Sequence, residues 1–198
     1  MKLMPALKCL PTPVAVALGC ACLSFSALAA DDAMLVEARA AASTLPPRLL
    51  AALNEKIAEV GPEGAIPVCK DMAPAMAKEV AASTGWQLKR VSLKPRNAQR
   101  ATPDAWEKAA LEEFDRRAAA GENPTGLEKG EVVEAAGGHV YRYAKALPTQ
   151  ALCLSCHGPR DQLKPEVRAV IDEHYPDDRA TGYKEGEIRG AIVATKRL

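Results

Sequence analysis

Glu131-Val-Val-Glu-Ala-Ala-Gly-Gly-His-Val-Tyr-Arg-Tyr143 sets two short β-forming runs on either side of a glycine pair. Glycine accepts the positive φ that a tight hairpin turn demands, so the stretch predicts arms at Glu131–Ala136 and His139–Tyr143 around Gly137-Gly138. Working outward, Ile188, Gly190, Ile192 and Ala194 alternate in a terminal run that reads as a strand. On the other side, Trp86 to Leu93 (WQLKRVSL) is rich in residues that suit a pleated surface. Its alternation slips between Leu88 and Val91, where a bulge is expected. The segments between and before these strands are helical in pattern. The class is therefore α+β with an antiparallel sheet.

The helical part opens at Asp32 in alanine-rich sequence. Leu49, Leu53, Ile57 and Val60 recur at helical spacing, Pro46-Pro47 should start or kink the segment, and Gly61-Pro62 should stop it. A second helix is expected from Ile66 to Ser83, with Pro67 in its first turn and Cys69, Met72, Met76 and Val80 on one stripe. Pro74 should break or bend it. Thr102-Pro103-Asp104 reads as a helix start capped by threonine, with Trp106, Ala110 and Phe114 on the buried face. Gly121 to Gly130 reads as a loop, and Pro165 to Glu173 as a short helix.

Cys153-Leu-Ser-Cys156-His157 carries the chemistry. A CxxCH run is the attachment motif of a c-type haem: each thiol can form a thioether with one vinyl group, and the adjacent imidazole can take a proximal position on iron. A zinc site would need a second ligand pair, with only His139 and His174 left to supply histidine nitrogens. A haem-free thiol–disulfide oxidoreductase would need only Cys153 and Cys156 and would leave the histidine idle. Met72 and Met76 are rival iron ligands by chemistry and core residues by position. Arg90 within the first strand, and Lys94, Arg96 and Asn97 at its end, can meet haem propionates or form an ordinary solvated run.

The N-terminus agrees with a c-type haem, which is assembled outside the cytoplasm. Lys2 and Lys8 form a basic n-region, an apolar stretch runs from about Val14 to Leu28, and Ala27-Leu-Ala-Ala30 is an A-x-A-like cleavage site. Residues 1–30 thus read as a signal peptide, and the mature chain as periplasmic and not membrane-spanning. Of six cysteines, Cys9, Cys20 and Cys22 leave with the signal. Cys69 then remains without a disulfide partner, as a buried inert thiol or as a thiolate on iron. It lies near the expected helix start, where the macrodipole favours thiolate. Removing Lys2 and Lys8 from 26 basic residues leaves 24 against 25 acidic ones. That balance offers nothing to nucleic acid or to an anionic membrane surface. Aromatic residues make up 4% of the chain, so a buried porphyrin would supply bulky apolar surface that the side chains do not.

Several segments together resemble a known family. They are Gly61-Pro-x-x-Ala65-Ile-x-x-Cys69 with Ala73-Pro74, Arg90-Val-Ser-Leu-Lys-Pro-Arg-Asn97, and Pro103-Asp104-x-Trp106-Glu107. The others are Cys153 to Gly158, Tyr175-Pro-x-Asp178 with Ala180-x-Gly182-Tyr183, and Ile188-Arg-Gly-Ala191. Their order is similar to the exported monohaem proteins with a PAS-like fold, long catalogued as a domain of unknown function and typified by a cyanobacterial c-haem protein. The resemblance implies a PAS-like antiparallel sheet with N-terminal helices. It also implies a single haem-binding domain over residues 31–198, and one haem c ligated by His157 and by the cysteine matching Cys69. Arg96 and Asn97 are expected to meet the propionates, and the loop from Tyr175 to Tyr183 is expected over one haem edge. Some relatives join the module to signalling domains. The function expected is electron transfer to a redox partner protein, or redox sensing with a signalling partner or a diatomic gas, with no catalytic activity.

Overall fold

The computed structural model describes residues 23–198, with side chains for 32–67 and 70–198. Helix α1 covers Leu23–Thr84 as two arms that meet at Gly61, whose φ of 77° and ψ of 171° leave the helical region. Only glycine adopts that φ without strain, and Pro62 opens the second arm where its missing N–H has no partner to lose. The Gly61-Pro62 stop is thus in place. Pro46-Pro47 does not start the helix and Pro74 does not break it: both sites, like Pro67, lie within helical turns, and the second arm starts at Pro62 rather than Ile66. A proline removes one hydrogen bond and crowds one carbonyl. Alanine- and leucine-rich flanks and packing on the sheet carry the helix through that local loss.

Four strands follow: β1 at Gln87–Val91, β2 at Glu128–Ala135, β3 at Gly138–Pro148 and β4 at Ile188–Arg197. They form one antiparallel sheet in the order β1-β4-β3-β2. The hairpin is present with longer arms than expected. Ala135 pairs with Gly138, so the turn is Ala136-Gly137, one residue early. Part of the expected loop up to Gly130 belongs to β2. The short helix expected after the CxxCH run is α5, Pro165–His174, behind α4 at Leu154–His157.

Each face of the sheet carries a helix. On one, α1 packs Ala38, Ala41, Ala42 and Leu45 against Trp86, Tyr141, Tyr143, Ile192 and Ala194. Alanines let the helix approach closely, and Trp86 meets Tyr141 edge to face at 6.0 Å. On the other, helix α3, Ala105–Ala119, buries Ala110, Leu111 and Phe114 against Val91, Ala144, Ala191 and Val193. Its cap is Asp104, in a reciprocal capping box with Glu107, and not Thr102, which instead closes the short helix α2 at Ala98–Ala101. The Asp104 carboxylate accepts from the Glu107 amide and the Glu107 carboxylate accepts from the Asp104 amide, two backbone donors that the threonine, two positions further back, does not reach.

The bulge expected in β1 is absent; Gln87 to Val91 pair in regular register with Thr195 to Ala191. The irregularity lies in β4. Leu147 pairs with Gly190 and Pro148 with Ile188, which leaves Arg189 as the extra residue. Strict alternation from Ile192 would send Arg189 under α3. The bulge instead places Ile188 in the α3-side core and turns Arg189 to the α1 side. Gly190 allows it: a Cβ there would sit 2.3 Å from the Val91 carbonyl oxygen.

Candidate functional site

A 3-10 turn at Ala151–Cys153 runs directly into α4. Three-residue helical spacing sets Cys153 and Cys156 on one side of that turn, with His157 next in line. All three border one cavity of about 580 Å³, within the range of small-molecule and cofactor sites. Its walls are mainly apolar. Leu49, Leu53 and Ile57 come from the first arm of α1, Ile66 from the second, and Leu88 and Ile192 from the sheet. Three residues of the apolar stripe expected in this helix thus wall the cavity, while the fourth, Val60, is exposed. Leu163, Val167 and Ile171 fasten the motif to the second arm through Ile66, with Cys156 packed against them.

His157 Nδ1 lies 2.7 Å from the Ala180 carbonyl oxygen and 3.2 Å from Arg189 Nε. A carbonyl only accepts and a guanidinium only donates, so the two contacts cannot both be hydrogen bonds. The shorter one places the proton on Nδ1 and leaves the Nε2 lone pair available. Burial first, then the charges of Arg189, Arg96 and Arg90, hold the imidazole well below its usual pKa. It is neutral at neutral pH, the form in which histidine ligates a metal. Tyr183 meets the ring edge-on at 6.4 Å, and the Tyr183 and Gly182 amides donate to the carbonyls of His157 and Gly158. The loop after Tyr175 thus braces the back of the histidine.

Arg96 Nε and Nη2 pair with the two oxygens of Asp178 at 3.2 Å, and Nη2 also donates to the carbonyls of Cys156 at 2.5 Å and Ala180 at 3.4 Å. Its guanidinium ties the end of β1 to the motif and to the bracing loop. The Asn97 side chain accepts from the Arg100 amide and caps α2. Both residues border the cavity, with these polar atoms engaged in holding loops.

Arg189 is the residue that sequence reading passed over. It is 5% exposed, with Nη1 donating to Ser92 Oγ at 2.9 Å and to the Lys94 carbonyl at 3.4 Å. Burial and then Arg90 push its pKa down to about 9, which still leaves it cationic at neutral pH. Its signal in the sequence was a lone charge inside Ile188-Arg-Gly-Ala-Ile-Val, an otherwise apolar strand.

Position 69 lies in the second arm of α1 between Ile66 and Ala73, which border the cavity, but the Cys69 side chain is outside the described residues. Met72 is 41% exposed and Met76 packs with the Trp86 cluster, so neither borders the cavity. His139 is exposed at the hairpin end, and His174 ends α5. Among the described residues no group of three His, Cys, Asp or Glu side chains is placed to hold a metal ion, so the second pair required for zinc is not found there. No described helix is long and apolar enough to cross a membrane. Most of the expected signal, residues 1–22 with Lys2, Lys8, Cys9, Cys20 and Cys22, lies outside the described residues.

The model of the Tll0287-like family, described as Tll0287, matches residues 25–196. A solved structure similar to the chain is that of the cyanobacterial heme-protein Tll0287, at 34% identity and a TM-score of 0.49. That alignment covers 65% of this chain and 70% of the other. No curated protein matches the chain.

Proposed function

The chain belongs to the Tll0287-like family, and from that premise we propose that it is an exported haem protein with one covalently held haem c. The observation that carries the reading is the shared cavity: Cys153, Cys156 and a neutral, carbonyl-bonded His157 open onto one largely apolar space. Cys153 and Cys156 would hold the group by thioether bonds. His157 Nε2 would ligate the iron, and Cys69 is the candidate for a second protein ligand. When bound, the haem supplies an iron that takes up and gives back one electron.

The rest of the work falls to the protein. The Ala180 carbonyl fixes the histidine tautomer and raises its donor strength. Arg96, clamped by Asp178, holds the carbonyl of Cys156 and so the pitch of the motif. Leu49, Leu53 and Ile57 keep water from the cavity wall and lower the local dielectric, which together with the axial ligands sets the potential. We read the role as electron transfer or redox sensing in the periplasm after cleavage behind Ala30, rather than as catalysis. A haem-free dithiol function would give no task to the tautomer-fixed His157 or to the cavity.

The test is a pyridine haemochrome assay on protein produced with c-type haem maturation. One haem per chain should survive acid acetone, and Cys153→Ala/Cys156→Ala should lose it. A colourless wild-type chain, or haem still covalently attached in the double variant, contradicts the proposal.

A further inference from the structure

We propose that Arg189, with Arg90 beside it, receives the carboxylates of the bound haem, an assignment that rests on the haem reading above. Among the described residues the cavity is bordered by Lys78, Lys89, Arg90, Arg96, Arg100 and Arg189, and by no aspartate or glutamate. Four of these cations are accounted for. Lys78 is exposed, Lys89 pairs with Glu107 at 2.8 Å, Arg96 pairs with Asp178, and Arg100 donates to the Lys70 carbonyl at 2.9 Å. Arg90 and Arg189 have no carboxylate partner within ion-pair distance among the described residues. Arg90 is half-buried, and Arg189 is almost wholly so.

A guanidinium removed from water without a counter-charge is costly, and a fold keeps one only where something repays it. Arg189 is also there by construction, since only the bulge at Pro148 and Ile188 brings it to this side of the sheet. Its Nη1 is used on Ser92 Oγ and the Lys94 carbonyl. Nη2 has no hydrogen-bond partner among the described residues. The Nε contact with His157 ceases to be a hydrogen bond once Nδ1 carries its proton for Ala180. The cavity therefore offers apolar walls with spare guanidinium donors on its β1–β4 side. A ligand that is mostly apolar but carries carboxylates satisfies both, and a porphyrin with two propionates is such a ligand. Arg96 is the weaker candidate because Asp178 already neutralises it.

Resonance Raman spectra of the haem-loaded wild type, R189Q, R90Q and R96Q test the assignment through the propionate-bending band. The band should move toward that of water-exposed propionates in R189Q and, by less, in R90Q, and should stay in place in R96Q. The midpoint potential should fall in R189Q and R90Q, because a cation that opposes ferric charge is gone. Ferric EPR g-values, which report the axial ligands, should not change. An unmoved band in R189Q and R90Q overturns the assignment. So does a change confined to the g-values of R189Q, which would make Arg189 a positioning residue for His157. If R189Q fails to fold, R90Q against R96Q decides: a shift in R96Q alone overturns it. Failure of the haem reading is distinct, since it appears as a wild type without haem before any variant is made.

Discussion

The two faces of one sheet treat buried charge in opposite ways. Under α3, Glu107 is fully buried and matched: Lys89 and Arg142 each lie 2.8 Å from its carboxylate, and it closes the capping box of its own helix. Under α1, Arg189 is nearly as buried and has no carboxylate within ion-pair distance among the described residues, beside a histidine held neutral and a cavity. The α3 face is finished by the chain itself. In the proposal made above the α1 face is finished by a bound haem, whose carboxylates would meet the unmatched guanidinium groups.

Substitutions on the two faces should therefore fail in different ways. The largest effect belongs to Phe114→Ala in the α3 core, where a fully buried ring leaves a void. It should cost about 3–5 kcal/mol in urea unfolding, with the visible spectrum of the folded protein unchanged. Cys69→Ala should do the reverse. It should leave unfolding nearly unchanged, abolish a low-spin thiolate-type ferric spectrum and raise the midpoint potential. Met72 and Met76 do not border the cavity, so the variant should become high-spin rather than methionine-ligated. An unaltered spectrum would leave Cys69 without a role on iron.

A smaller effect is expected from Leu53→Ala, on the half-buried cavity wall. In the haem-free chain it should cost about 1 kcal/mol or less, because its neighbours already face a void. With haem bound the loss should grow, as apolar contact is then removed; equal losses in both states would mean that the cavity is not where the group sits. The smallest effect lies at the sheet edge. Arg39, with Tyr143 adding a second hydrogen bond, pulls the pKa of Glu128 down to about 2. A lowered carboxylate pKa contributes stability above the unfolded value near 4.5, and that contribution fades as pH falls toward 2. Glu128→Gln should flatten the acid limb slightly, since Arg39 is largely exposed and water screens the pair.

How much of this was legible in the sequence divides along the same line. Local features came through: the Gly-Gly hairpin, the Gly61-Pro62 break, the buried stripe of α3 and the CxxCH turn each depend on residues close in the chain. What was missed depends on partners far away. Pro46, Pro47 and Pro74 do not break their helices, because packing on the sheet outweighs a local cost. The bulge was sought in β1 from its uneven pattern, whereas cross-strand pairing puts it at Arg189. The pairing of Arg96 with Asp178 was not foreseen, because Asp178, 82 positions on, is invisible to local pattern. Arg189 was overlooked because only a register shift turns it into the cavity.

The central claim, that the α1 face is completed by a covalently attached haem, is tested most directly by intact mass under denaturing conditions. The exported protein should give the chain from Asp31 plus one haem, with the addition lost in Cys153→Ala/Cys156→Ala. A wild type with the mass of the polypeptide alone would contradict it.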